Sequence, residues 1–459
     1  MNNQPWIVLG LLALAACGPA EWMVDDDDTT EPAVDDDDAT EPPVDDDDVL
    51  DDDDVADDDD SAAPDPGCAA DEVPVGYLCL PAELSEWNLQ VDPADLAMIK
   101  DDQWEDIFIP CTLSADGVDY GACQVRLRGG SSRDWPKRSF RVEFIEDADH
   151  PGYQRKINLR AEYNDRTYMR NFLAHKAFKK LTDLPVPRIR YLRLAINGDD
   201  YGLFTEVERI GGKFLERNAR DREAAMYEGE GSEGTGALMP LPNEAAYRER
   251  YPKKTGDDAD YSDLIGLIED QLAADWADGG SARLEQAFHL DGYISYMATM
   301  LLLQNEDHVT NNFFLSFQNG AWETYPWDMD MSFGCQYDEA AHDSFCDDYE
   351  ADGYWENGTI WPGDDLDDCW CNLPMHLVQQ TPLLSAQFQQ RACDLMTDPW
   401  WTIEGPALVD QLGSYLEPHV ATDTHDAIDS LGDFADYRAE ITQFFGQREA
   451  YLRSEMECF

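Results

Sequence analysis

The chain has 459 residues, with 97 Asp and Glu against 32 Lys and Arg, and a formal net charge of −65 at pH 7. So negative a balance leaves no basic footprint for a phosphate backbone, which argues against nucleic acid as a partner. It suits a salt-rich habitat or a basic partner and does not choose between them.

Residues 1–17 read as an export signal. Pro5 to Ala16 is a short apolar run, too brief to span a membrane as a helix. It ends in Leu14-Ala15-Ala16-Cys17, which resembles a bacterial lipobox, so residues 1–16 would be removed and Cys17 lipidated. The run has no Lys or Arg before it, and an ordinary cleaved secretory signal is the alternative. Either way the chain leaves the cytoplasm, and the expected location is the bacterial cell envelope, lipid-anchored, periplasmic or at the surface. In residues 17–67, Asp tetrads at 25–28, 35–38, 45–48, 51–54 and 57–60 alternate with Thr, Glu, Pro, Val and Ala. Such a segment buries too little apolar surface to offset its ordering entropy, and its charges repel, so it reads as a disordered, extended tether. A calcium-binding repeat would need glycine turns and alternating ligand spacing, which solid Asp tetrads do not offer.

The body, residues 68–459, is long enough for one large bilobal domain or two smaller ones. Beyond Cys17 it holds ten cysteines, and an even number in an exported chain predicts disulfides. The spacing suits local pairs Cys68–Cys79 and Cys111–Cys123, with Cys458 stapling back to Cys393, although spacing does not fix connectivity. Cys369-Trp370-Cys371 is a lone CxC without the second pair that zinc requires.

In chain order, WNLQV predicts a strand, PADLAMIKDD a short helix and DIFIPCTL another extended piece. QVRLR and SFRVEF alternate, so residues 121–144 form a hairpin around a Gly-Ser loop, Gly129 to Ser132, that leads to Lys137. Arg126 and Arg128 share one face of its first strand. Glycine-loop amides with cations beside them suit phosphate groups, whereas a surface hairpin with solvated charges is the blander reading. Residues 156–181 give a short strand and a helix from about Thr167, with Met169, Phe172, Leu173 and Phe178 on its core face. Residues 190–210 are a second hairpin turning at Asn197-Gly198, leaving through Glu206-Val207-Glu208 into a helix. Residues 218–260 read as an irregular insertion or mobile loop. From Ser262 the pattern is helical, ending in DGYISYMATMLLL.

That last helix feeds the stretch Leu301 to Gly334. A polar loop carries Asp307, His308, Asn311 and Asn312, and a hairpin of FFLSF, a QNG turn and AWETYPW follows. The hairpin delivers Asp328 and Asp330, whose spacing of two puts both on one face of an extended strand. Acidic groups at strand ends are costly unless a cation meets them, which makes this a candidate metal and phosphate site. Residues 335–372 are acidic, Trp-rich and cysteine-rich, and predict a disulfide-pinned loop; the remainder is helical.

Five segments, in this order, resemble the CotH-like (spore coat protein H) kinases, a family of atypical protein-kinase-like enzymes. They are VRLRGGSSRDWPKRSF, NLRAEYNDRTYMRNFLAHKAF, YLRLAINGDDYGLFTEVERI, QNEDHVTNNFF and YPWDMDMSFG. With the helical C-terminal part the resemblance covers roughly residues 85–458. It implies an α+β, bilobal, protein-kinase-like fold. Residues 68–210 would be a small antiparallel-sheet N-lobe and residues 211–459 a mostly helical C-lobe. It further implies ATP and Mg2+ or Mn2+ as cofactors, and transfer of a phosphoryl group to protein hydroxyls.

Asp307 and Asn312 have the Asp-x4-Asn spacing of the kinase catalytic loop, so Asp307 would be the base and Asn312 a metal ligand. Asp328, ahead of Asp330, would be the main metal ligand. Lys137 would contact the nucleotide phosphates with Arg126 and Arg128 as auxiliaries, and Glu206 and Glu208 would flank an adenine-binding hinge. His308 reads as structural. The expected partners are an exported protein substrate, basic or Ser-rich, and a membrane reached through the lipid anchor. Two other readings stand beside this one: a catalytically inactive kinase-like surface or adhesive protein with a structural cation site, and a metal-dependent hydrolase. The hydrolase lacks a recognisable nucleophile–base pair.

Overall fold

In the computed structural model the described residues are 67–144, 150–229, 236–305, 307–335, 372–425, 428 and 430–458. The expected signal peptide, the lipidated Cys17, nearly all of the acidic tether and nearly all of the cysteine-rich loop after Gly334 lie outside them. Strand β1 (Glu72–Val75) and β2 (Leu78–Pro81) form a short hairpin stapled by Cys68–Cys79. Seven further strands follow: β3 (Ser85–Val91), β4 (Ile109–Ala115), β5 (Val118–Arg128), β6 (Ser139–Phe144), β7 (Lys156–Arg160), β8 (Ile189–Ile196) and β9 (Asp199–Val207).

Alternating apolar residues of these seven point inward, and Leu89, Leu113, Val125, Val142, Leu159 and Leu194 lie fully buried in one core. The strands close into a barrel in the order β3-β4-β5-β6-β7-β9-β8. Every neighbouring pair is antiparallel except β3 and β8, which run parallel from Ser85↔Leu192 to Leu89↔Ile196. This corrects the expected antiparallel sheet. Closure removes both free edges, and the pairing that closes it joins segments far apart in sequence, which no local period records. Cys111–Cys123 ties β4 to β5 as expected. The β8–β9 turn puts Asn197 at φ 55° and Gly198 at φ 86°, the left-handed pair that a two-residue hairpin needs.

The stretch 218–260 is not wholly an irregular insertion. It supplies β10 (Met226–Glu228), helix Glu244–Arg250 and β11 (Lys253–Thr255). With β12 (Phe313–Gln318) and β13 (Ala321–Pro326) they make a second sheet in the order β11-β10-β12-β13. Three-residue strands are too short to show a period of two, so they were invisible to pattern. The β12–β13 hairpin turns at Asn319 and Gly320, as the QNG sequence predicts.

Helix Arg170–Leu181 begins three residues later than Thr167, because Asp165 organises the turn before it. Its carboxylate accepts from Thr167 N at 2.9 Å and from Arg170 N at 2.7 Å. Met169, Phe172, Leu173 and Phe178 are fully buried, as their spacing requires. Helix Leu290–Leu303 is buried on nearly all sides, and so is apolar all round. It ends in a left-handed Gln304, and Arg448 of helix Leu431–Glu455 donates to Leu301 O at 2.9 Å, satisfying one terminal carbonyl. Cys393–Cys458 joins helix Pro382–Met396 to the chain end, as expected. Strand-rich before residue 210 and mostly helical after it, the architecture is α+β. No helix among the described residues is long and apolar enough to cross a membrane.

Candidate functional site

The C-terminal end of helix Leu290–Leu303 delivers the polar loop, and the β12–β13 hairpin returns the chain beside it. Within the loop, Asn312 Nδ2 donates to Asp307 Oδ2 at 2.6 Å, and Trp327 N donates to Asn312 O at 3.1 Å. The loop and the exit from β13 are therefore laced together. Asp307 is only half-buried, while His308 is buried with Nδ1 bonded to Asn305 O. Burial pulls the His308 pKa down to about 3, so it stays neutral and structural.

Strand β13 ends at Pro326, so Asp328 and Asp330 are not strand residues and the period of two does not apply to them. They still converge, because Asp328 takes a left-handed φ of 46°. Their common partner is Arg160, at the end of β7: Nη1 pairs with Asp328, and Nη2 lies 2.9 Å from Asp330 Oδ2. Arg160 Nε is 3.7 Å from Glu162 Oε1, which also accepts from Asn171 at 3.1 Å and Thr205 at 2.5 Å. Asn164 Nδ2 donates to Asp330 Oδ2 at 3.0 Å. Burial works to raise the Asp328 carboxyl, but the adjacent Arg160 charge wins and holds it below the ordinary range. Burial first, and the Asp328 charge second, push Asp330 well above that range. Asp328 is thus the member of the pair poised as an anion.

Backbone strain gathers at the same place. Glu162 (φ 48°), Gln304 (φ 52°), Asn312 (φ 57°), Asp328 (φ 46°) and Phe333 (φ 58°) all lie in the left-handed region, which side chains of this size rarely adopt. The fold over-determines these conformations, as functional sites tend to.

A pocket adjoins the acidic group, lined by Arg141 and Asn158 of the barrel, Arg209, Ile210, Glu228, Lys254, Phe314 and Trp327. It lies between the barrel and the second sheet, and Trp327 immediately precedes Asp328. Arg128 of β5 reaches the same corner, 5.9 Å over the Trp327 ring, and its charge helps hold Asp328 ionised.

Other sequence-predicted residues are placed elsewhere. Lys137 is fully buried, 2.7 Å from Asp423 Oδ2 and 2.6 Å from Leu203 O, so its charge is spent inside the protein and not on a phosphate. Arg126 pairs with Asp106 at 2.8 Å, which Arg133 shares at 2.6 Å. Glu206 pairs with Arg190 and accepts from Tyr153 N, both at 2.6 Å. Glu208 holds Arg217 at 2.6 Å and Arg188 at 3.1 Å. Thr205, Glu206 and Val207 are bonded to β7 on one side and β8 on the other, so the expected hinge has no spare backbone edge for a base.

Arg160, Glu162, Asn164 and Asn171 carry no role in the sequence-based expectations, although all four fall inside the segment NLRAEYNDRTYMRNFLAHKAF. A run of Arg, Glu, Asn and Asp between a buried strand and a buried helix was the available signal. Glu162 Oε2, Asn164 Oδ1 and Asn171 Oδ1 are buried without a hydrogen-bond partner. That surplus of oxygen acceptors, with the carboxylates of Asp328 and Asp330, is a donor set that suits a hard divalent cation such as Mg2+ or Mn2+.

The sequence profile of a family described as CotH kinase protein matches residues 125–452. The chain is 27% identical over 260 residues to the inner spore coat protein H of Bacillus subtilis (strain 168), spanning 55% of this chain and 70% of that protein. A complex of HipA, HipB and operator DNA from the Shewanella oneidensis MR-1 toxin–antitoxin system resembles 80% of this chain and 73% of the matched one. Its identity is 10% and its TM-score 0.32, a likeness that says nothing about fold or activity.

Proposed function

Because the chain belongs to the CotH kinase protein family, we propose that it transfers a phosphoryl group from ATP to a hydroxyl of an exported, basic or Ser-rich protein, using Mg2+ or Mn2+. The observation that carries this reading is the convergence of Asp328, Asp330 and unpartnered oxygen acceptors on one strained site beside a pocket lined by aromatic and ion-paired residues. Bound ATP would supply the phosphoryl group, and the metal would neutralise its developing charge. Asp328, already anionic, is the main metal ligand, with Asp330 and Asn312 beside it. Asp307, oriented by Asn312 and open to solvent on one side, takes the acceptor's proton. Trp327 and Phe314 offer ring faces to the base, and Arg209 lies nearest the phosphates; Lys254 and Arg141 line the same pocket in ion pairs with Glu228 at 2.6 Å and Glu143 at 2.7 Å. Arg128 serves Asp328; Lys137 has no place in this scheme.

In this reading the barrel of residues 68–210 acts as the N-lobe and residues 211–459 as the C-lobe of a kinase-like pair, with the nucleotide between them. Lipidation of Cys17 would hold the enzyme at the cell envelope on its acidic tether. The Arg160 guanidinium set between the two aspartates favours a second reading, an inactive kinase-like surface protein. Thermal shift separates them: the active reading predicts that ATP with Mn2+ raises the melting temperature more than either alone. Equal shifts with and without ATP would support the inactive reading.

A further inference from the structure

We propose that Arg160 is a resident cation that fills the divalent-metal position and must swing aside for the metal to enter, so that it sets the metal concentration at which the site loads. This rests on the assignment of Asp328 and Asp330 as metal ligands.

Arg160 has only 12% of its side chain exposed and touches three carboxylates: Asp328 through Nη1, Asp330 through Nη2 at 2.9 Å and Glu162 at 3.7 Å from Nε. A guanidinium is a rigid planar fork, and its two terminal nitrogens take Asp328 and Asp330 one each, with the two carboxylates within hydrogen-bond reach of each other. Among the described residues, no third acidic or His ligand atom joins this pair closely enough to share an ion. The one group of three close enough among them, Cys68, Glu72 and Cys79, is spent in a disulfide. A metal can bridge Asp328 and Asp330 only after Arg160 releases one of them.

The protein provides a second place for the released charge. Glu162 Oε2 and Asn171 Oδ1 are buried acceptors with no donor, and Glu162 already lies beside Nε and bonds Asn171. Unpartnered buried acceptors cost free energy until a donor reaches them. A guanidinium turning from the aspartates toward Glu162 and Asn171 would satisfy both while opening the metal position, so part of what it loses at the aspartates is regained there. His175 faces the same region from helix Arg170–Leu181. Its Nδ1 is 2.8 Å from Asn171 O, which requires the proton on Nδ1.

The test is calorimetric titration of Mn2+, without nucleotide, into the full chain and its Arg160→Gln and Arg160→Lys variants. Removing the competitor should tighten Mn2+ binding at least tenfold in Arg160→Gln, with Arg160→Lys in between. The metal-free Arg160→Gln protein should melt lower than wild type and recover with Mn2+. Unchanged or weaker Mn2+ binding by folded Arg160→Gln would overturn the proposal. Should Arg160→Gln not fold, Arg160→Gln/Asp330→Asn removes the excess charge and must bind Mn2+ more tightly than Asp330→Asn alone; equal or weaker binding overturns it too. None of these readouts uses ATP. Tighter Mn2+ binding without any phosphoryl transfer would sink the kinase reading alone, and transfer without the affinity gain would sink this inference alone.

Discussion

Lys137 Nζ lies 2.7 Å from Asp423 Oδ2 with both side chains fully buried, so the loop before β6 is pinned by an ion pair to the segment that follows helix Gly405–Val420. Leu203 N and Tyr168 also donate to Asp423, at 2.7 and 3.2 Å. A Cβ on Gly202, at φ +102°, would sit 2.1 Å from Asp423 Oδ1, so only glycine admits the carboxylate here. Breaking one side of a buried pair leaves an uncompensated charge, costing about 3–5 kcal/mol. Lys137→Met should therefore lower the unfolding free energy measured in urea by that amount while leaving ATP affinity of the folded fraction unchanged. A stable Lys137→Met that loses ATP binding would restore Lys137 to the phosphates. Burial opposes ionisation of Asp423, but Lys137 more than compensates and holds its pKa below the ordinary value. The pair's stabilisation is thus complete above the ordinary carboxylate pKa and lost as pH falls through the depressed one.

Two buried histidines set a second pH dependence, in the same direction. Burial lowers the pKa of His175 to about 4 and that of His308 to about 3, from 6.5. The unfolded chain takes up these protons first, so stability is whole above pH 6.5 and falls as pH drops through the window below it. Each group contributes on the order of 3–5 kcal/mol at the acid end. Denaturant midpoints measured between pH 7 and pH 4 should fall steeply in wild type and less so in His308→Gln. Equal slopes would mean that His308 is not buried as neutral imidazole.

Asn312 has two separable duties, a left-handed backbone at φ 57° and a side chain bonded to Asp307. Asn312→Gly keeps the first and loses the second, whereas Asn312→Ala loses both. Stability should differ between them by roughly 1 kcal/mol in favour of glycine, while phosphoryl transfer falls at least tenfold in both. Full activity in Asn312→Gly would remove the side chain from the site.

Cys393–Cys458 closes a loop of 65 residues between helix Pro382–Met396 and the chain end. Loop-closure entropy puts its contribution at about 4 kcal/mol. The double Ser variant should show that loss in denaturant, together with earlier proteolysis of the last helix. A shift below 1 kcal/mol would mean the last helix stays packed in the denatured ensemble.

What the sequence made legible was local. Asn197-Gly198 and Asn319-Gly320 name their own turns, the spacing of Met169, Phe172, Leu173 and Phe178 names a buried helix face, and short cysteine separations name two disulfides. The pairing of β3 with β8 and the recruitment of β10 and β11 to the second sheet depend on contacts between distant segments, and three-residue strands carry no period. At the site the acidic residues were legible as a cluster needing a cation. Their partner was not, because Arg160 belongs to a strand some 170 residues away. For Lys137 the converse holds: a lysine after a glycine loop reads as available in sequence, and its buried partner Asp423 lies far along the chain.

Phosphoryl transfer at this site is tested most directly by transfer of label from γ-labelled ATP. The full chain with its disulfides formed should label itself or a basic, Ser-rich acceptor only when Mg2+ or Mn2+ is present. Asp307→Ala should abolish that label while its melting temperature stays within a few degrees of wild type, since Asp307 faces solvent on one side. No labelled product across several acceptors, together with no ATP-dependent thermal shift, would contradict the account.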